Sequence, residues 1–162
     1  MRSIAIRPAE PGDLSHVLAL LEEASLLTAG AEEHFADFLV AEAGGRVVGS
    51  AGLEFYGNAA LLRSVAVAPP VRGQGLGVRL VHEALAAARR RGARRVWLLT
   101  DTAEPFFHRL GFQASTREDL DRRLLASGLF TDPTCIDALV MMMDFQTAGR
   151  EPQKTRSEGA RS

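Results

Sequence analysis

Residues 61–91 read LLRSVAVAPPVRGQGLGVRLVHEALAAARRR. The first seven form an apolar run suited to a buried strand, interrupted only by Arg63 and Ser64. Pro69-Pro70 then turns the chain. The loop Arg72-Gly73-Gln74-Gly75-Leu76-Gly77 follows, and a long amphipathic helix begins within it. Glycines without a Cβ let backbone approach a bulky group closely. The first N–H groups of a helix lack intrahelical partners, and with the helix dipole they favour an anion, most often a phosphate. A pyrophosphate cradle is the expectation. A phosphate-binding loop of the nucleoside triphosphatase kind needs Lys and Ser or Thr after the last glycine, but Val78 and Arg79 stand there. A dinucleotide fingerprint needs G-x-G-x-x-G and an acidic residue closing the next strand, and neither is present.

Outward from that stretch, periodicity assigns the remaining elements. Ser3–Ile6 alternates as a strand, ended by Pro8, Pro11 and Gly12. Asp13 is placed to cap a helix reaching about Ser25, with Val17, Leu18, Leu20, Leu21 and Ala24 as its buried stripe. Leu26–Asp37 is ambiguous, and Phe35 and Phe38 are expected to pack. Phe38–Ala43 and Arg46–Phe55 read as strands joined at Gly44-Gly45, and Gly57-Asn58 turns the chain into Ala59–Val67. The helix Leu76–Arg91 ends at Gly92. Arg95–Thr100 is apolar enough for a strand covered on both faces, and a strand–helix–strand unit makes it parallel to Ala59–Val67. A short helix Thr102–Leu110, a strand from Phe112 to Ser115, a helix Glu118–Ser127 with Leu120, Leu124 and Leu125 inside, and a strand Ala138–Phe145 complete the domain, residues 1–145. Gln146–Ser162 is polar, lacks periodicity and reads as a disordered tail.

The 162 residues fit one domain, and a net charge of -1 gives no reason to expect a nucleic acid or anionic membrane partner. No run approaches the ~18 apolar residues that span a membrane. The lone Cys135 excludes an internal disulfide framework, so a reducing, cytoplasmic setting is expected. No cluster has metal-ligand spacing, and no metal is expected.

V-A-V-x-P-x-x-R-G-x-G-x-G, a helix, a buried strand and F-F-x-x-L-G-F together resemble the GNAT superfamily of acyl-CoA N-acetyltransferases, from about Ile4 to Phe145. Arg72, Gly75 and Gly77 match its Q/R-x-x-G-x-G/A signature. Ala103, Phe106, Phe107, Gly111 and Phe112 match most of the A-x-x-F-Y-x-x-x-G-F signature. The resemblance implies a mixed α/β fold. Its mostly antiparallel sheet of six to seven strands, flanked by helices, splays between the parallel fourth and fifth strands. It implies acetyl-CoA as co-substrate, with the pyrophosphate on the backbone of Arg72, Gly73, Gln74, Gly75, Leu76, Gly77 and Val78. Pantetheine would pair with the strand Val65, Ala66 and Val67, and the Val65 N–H would steady the oxyanion. Thr100 and Phe107 would contact the cofactor.

The family's usual acid is a tyrosine where this chain has Phe107, which donates no proton. Many relatives carry a glutamate base where this chain has Arg63. For Arg63 two readings stand open: a salt bridge to Glu54, or, with Tyr56 and Glu54, a grip on a carboxylate-bearing acceptor. Glu54 is the candidate base. The pieces Gly52-Leu53-Glu54, Tyr56-Gly57, LLRSVAV, LLT-x-TAE and FF-x-RLGF look closest to the amino-acid and arsenic-resistance N-acetyltransferases. The implied acceptor is a small amine with a carboxylate, an amino acid or a toxic analogue. A protein-amine acetyltransferase and a non-catalytic acyl-CoA sensor are the rival readings. Dimers are common in the superfamily, so a homodimer is compatible with the likeness.

Overall fold

The computed structural model describes residues 3–135 and 137–146. Apart from Gln146, the tail expected from Gln146 to Ser162 lies outside them. Seven strands form one sheet: β1 (Ile4–Pro8), β2 (Phe38–Ala43), β3 (Arg46–Tyr56), β4 (Ala59–Val67), β5 (Arg95–Thr100), β6 (Gln113–Ala114) and β7 (Leu139–Asp144). Their order is β1-β2-β3-β4-β5-β7-β6, and only β4 and β5 run parallel. Helices α1 (Leu14–Glu23), α2 (Leu76–Arg90) and α3 (Glu104–Arg109) flank the sheet.

The glycine-rich strand-to-helix stretch sets this layout. α2 presents Leu76, Leu80, Val81, Ala84, Leu85 and Ala88 to one face of the sheet, where they pack with Leu53, Leu62, Val96, Leu98 and Phe112. Burial of each large aliphatic there contributes about 1.5–3 kcal/mol. The opposite face is covered by α1 through Val17, Leu20 and Leu21. Towards β7 it is covered by Leu120, Leu124 and Leu129 on Trp97. β5 has its two faces in different clusters, Val96 and Leu98 in one and Trp97 in the other, which is why it is apolar almost throughout.

Several boundaries differ from the sequence expectation. β1 continues through Pro8, which pairs with Leu39. A proline, lacking an N–H, is tolerated there because β1 is an edge strand. Asp13 does not cap α1 with its side chain. Its carboxylate instead accepts the Glu10 N–H at 2.8 Å and the Arg7 guanidinium at 2.8 Å. The helix expected over Glu118–Ser127 is replaced by successive 3-10 turns at Arg122–Ala126, Gly128–Thr131 and Pro133–Cys135. Asp121 and Ser127 accept N–H groups two residues on, which closes short turns in place of an α-helix. Leu120 and Leu124 are buried as expected, but Leu125 is 44% exposed. Phe112 is core rather than strand, so β6 is only two residues long. Phe35 and Phe38 pack against one another with ring centroids 5.2 Å apart.

Candidate active site

β4 and β5 pair only at Ala59–Arg95, Ala60–Val96 and Leu61–Trp97. Beyond that point they separate. Leu62 to Val65 then form one wall of a cleft of about 560 Å³, and Leu98 to Thr102 form the other. The segment after α1, the apolar side of α3 and the turn around Thr134 close it. The edge of β4 facing the opening has no strand partner there, so an extended ligand can add to it as a strand would.

A bulge shapes that wall. Gly52 opposes Arg63 and Ser50 opposes Ala66, so Ser64 and Val65 share the space across from Ala51. Ser64 sits at φ 61, a left-handed conformation that non-glycine residues rarely adopt. The buried Ser50 hydroxyl donates to the Ser64 carbonyl at 2.7 Å and holds the bulge. Gly52 leaves no room for a side chain, since a Cβ there would lie 2.4 Å from the Phe38 ring. Val65 thereby faces the cleft, whereas Ala66 is buried towards α1 and stays outside it.

Below Val67 the glycine loop leads into α2. Gly73 (φ 82) and Gly75 (φ 79) are both left-handed, so the turn itself requires them; Gly77 is not, and its missing Cβ faces Phe106 at 3.4 Å. The sequence reading assigned these glycines to close approach of backbone to a bulky group, and for two of them the geometry adds the turn itself. What supports an anion here is that Gly75 provides no side-chain cap and that Arg72 to Gly75 are exposed. The leading N–H groups of a 15-residue helix are thus left unpartnered by a cap. The Arg72 side chain folds back, with Nε donating to the Val67 carbonyl at 2.8 Å. Thr100 lines the cleft and its hydroxyl accepts the Ala103 N–H, fixing the entry into α3. Phe107 also lines it, wedged edge-to-face against Phe106 and Phe112.

Glu54, Tyr56 and Arg63 form a network behind the cleft, and of the three only Arg63 lines it. Glu54 is 0% exposed and does not line the cleft. Arg63 Nη1 donates to Glu54 Oε2 at 2.7 Å, and the Tyr56 hydroxyl donates to Glu54 Oε1 at 2.5 Å. His34 Nε2 lies 3.5 Å from the same Oε1. Burial, then the Glu54 carboxylate, pushes the Tyr56 hydroxyl well above the usual phenol range. Arg63 also donates to the carbonyls of Ala29 and Leu27 and, through Nε, to the Ser64 hydroxyl. Of the two readings left open for Arg63, the salt bridge is formed. A bidentate grip on a substrate carboxylate is not available in this arrangement, because at most one N–H of Nη2 remains. Tyr56 likewise lies away from the cleft.

The cleft also takes in residues the sequence reading passed over: Ser25 to Leu27, Leu129, Thr134, Cys135 and Asp101. Asp101 was within reach of sequence reasoning. It directly follows Thr100 at the C-terminal end of β5, and strand C-terminal ends in α/β sheets point at ligands.

The model of the acetyltransferase (GNAT) family matches residues 4–112, and the chain belongs to that family. It is similar to the amino-acid acetyltransferase of Neisseria meningitidis, 30% identical over 126 residues, which are 72% of this chain and 29% of that protein. The chain thus spans under a third of that relative. An uncharacterized N-acetyltransferase of Chlorobaculum tepidum is 34% identical over 57% of this chain and 59% of its own. Among solved structures, the N-acetylglutamate synthase of Neisseria gonorrhoeae, complexed with coenzyme A and N-acetyl-glutamate, matches with a TM-score of 0.75 and 25% identity. That match covers 88% of this chain and 35% of the synthase. Among the described residues no group of three or more His, Cys, Asp or Glu is arranged to hold a metal, and no helix is long and apolar enough to cross a membrane.

Proposed function

We propose that this domain transfers the acetyl group of acetyl-CoA to the amine of a small, carboxylate-bearing acceptor, an amino acid or a toxic analogue of one. The observation that carries this reading is the opening between β4 and β5, lined by Val65, Thr100 and Phe107, together with the uncapped start of α2 that follows β4 in the chain. The pyrophosphate sits on the N–H groups of Arg72 to Val78 and draws on the α2 dipole. Pantetheine lies along Val65 and Val67, beside Thr100 and Phe107. The amine attacks the thioester directly in a ternary complex, and the Val65 N–H stabilises the charge that develops on the carbonyl oxygen. Since Phe107 donates no proton, the coenzyme A thiolate leaves and is protonated by water. Glu54 acts here through position: it holds Arg63, which in turn ties the Leu27–Ala29 segment over the acceptor end.

Leu26, Leu27 and Leu129 narrow the acceptor end, which favours a small molecule over a protein segment. The relatives named for amino-acid acetylation support the acceptor class. Likeness to arsenic-resistance enzymes extends it to arsenical and phosphinic amino acids. The test is thiol release from acetyl-CoA across an amine panel that includes glutamate, phosphinothricin-like and arsenical amino acids. Acidic amino acids are expected to turn over at least about tenfold better than simple alkylamines, the scale of about 1.4 kcal/mol. Coenzyme A binding without turnover of any amine would overturn the reading.

A further inference from the structure

Acetyl transfer to an amine needs a proton acceptor, since the ammonium present at neutral pH has no free electron pair. Among the described residues, the ionisable side chains lining the cleft are Arg63, Asp101 and Cys135. Arg63 stays charged and spends its donors on Glu54, two carbonyls and Ser64. Burial, with Asp132 and Asp101 adding to it, pushes the Cys135 thiol above its ordinary range, so it is protonated at neutral pH. Glu54 lies outside the cleft and is engaged by Arg63 and Tyr56. Asp101 remains: it is exposed, it follows the C-terminal end of β5, and no hydrogen bond or ion pair with a described residue engages its carboxylate.

We propose that Asp101 receives the acceptor's ammonium and takes the proton from its nitrogen as the new bond forms. This rests on the functional reading above. The ammonium loses one proton to water beside Asp101, and the freed lone pair attacks the thioester carbonyl carbon. The N–C bond forms and the nitrogen becomes positive. Asp101 takes the second proton as the C–S bond breaks, and the departing thiolate is protonated by water. The products are the N-acetyl compound, coenzyme A thiol and one proton. The other charged or titratable groups around this end are Arg63 on β4, Cys135 and Asp132 in the turns before β7, Glu104 in the first turn of α3, and Arg117, which donates to the Cys135 and Ala138 carbonyls. With Arg63 neutralised by Glu54, Asp101 is the carboxylate of this lining that is left to meet the acceptor's ammonium.

The test is the pH dependence of kcat/KM for Asp101→Asn and Asp101→Glu in the full chain, using the best acceptor of the amine panel. Because Asp101 is exposed, folding is expected to survive, with circular dichroism as the check. The Asn variant should lose about 100-fold in kcat/KM for the amine at neutral pH. The deficit should persist as pH approaches the acceptor amine's own pKa, because Asp101 takes its proton after attack; the Glu variant should recover part of the rate, and acetyl-CoA affinity by calorimetry should stay within about threefold. An Asn variant within about threefold of wild type across the pH range would overturn the role of Asp101 alone. A wild-type protein that turns over no amine would overturn the functional reading as well.

Discussion

Breaking the Glu54–Arg63 pair tests the division between structural and catalytic carboxylates. Both side chains are removed from water, with 0% and 2% of their side-chain surface exposed. Removing one partner of such a pair leaves an uncompensated charge and costs about 3–5 kcal/mol. The two removals should not be equal. In Glu54→Gln, Arg63 keeps its bonds to the Ala29 and Leu27 carbonyls and the Ser64 hydroxyl, so the cost lies at or below about 3 kcal/mol. In Arg63→Met, Glu54 keeps the Tyr56 hydroxyl and, at 3.5 Å, His34 Nε2, and two loop carbonyls lose their donor, so the cost approaches about 5 kcal/mol. At about 2–4 °C per kcal/mol for a chain of this size, calorimetry should show a fall in Tm of up to roughly 12 °C for the Gln variant and about 10–20 °C for the Met variant. The double variant Glu54→Leu/Arg63→Met should recover most of the loss, because an apolar pair replaces a desolvated ionic one. Where each protein is folded, Glu54→Gln should keep kcat within about tenfold, well short of the upper range for losing a general base. A Met variant within about 3 °C of wild type would refute the energetic reasoning. A Gln variant with unchanged Tm and a loss of about 1,000-fold in kcat would make Glu54 the base and refute the structural one.

Three further outcomes follow from the same geometry. Gly75→Ala places a Cβ at φ 79, which costs about 1–2 kcal/mol, and it should weaken coenzyme A binding measured by calorimetry. Arg7→Met should flatten the acid limb of stability. The Arg7 guanidinium holds Asp13 below the usual carboxylate range, so its contribution is present above pH ~4 and disappears as pH falls through the folded pKa; urea titrations at stepped pH report the difference. Cys135, the only cysteine, should react slowly with iodoacetamide at pH 7 and faster as pH rises, because burial raises its pKa; bound acetyl-CoA should slow it further, as read by intact-mass spectrometry.

The core of this account was legible in the sequence because its signals are local. The apolar run of β4, the glycine loop, the amphipathic α2 and the continuous apolar β5 carry their own periodicity. Even the Glu54–Arg63 contact follows from the hairpin: a two-residue turn at Gly57-Asn58 pairs Tyr56 with Ala59 and hence Gly52 with Arg63. That puts Glu54 and Arg63 on one face, two positions apart. The bulge at Ser64 carries no such signal, since it depends on the Ser50 hydroxyl from a neighbouring strand. The segment 118–135 misled because leucines at helical spacing were stronger to the eye than Asp121 and Ser127, whose side chains close turns. The acceptor end of the cleft escaped for a related reason. It is assembled from loops after α1, after β5 and before β7, and only the folded sheet brings these together.

The central claim is acetyl transfer within the β4–β5 cleft to an amino acid. Mass spectrometry of the products formed from isotope-labelled acetyl-CoA and an equimolar mixture of amino acids tests it most directly. The account predicts label appearing as an N-acetyl group on acidic amino acids ahead of the others, with stoichiometric release of coenzyme A. Label left on coenzyme A throughout, with the cofactor demonstrably bound, would contradict it.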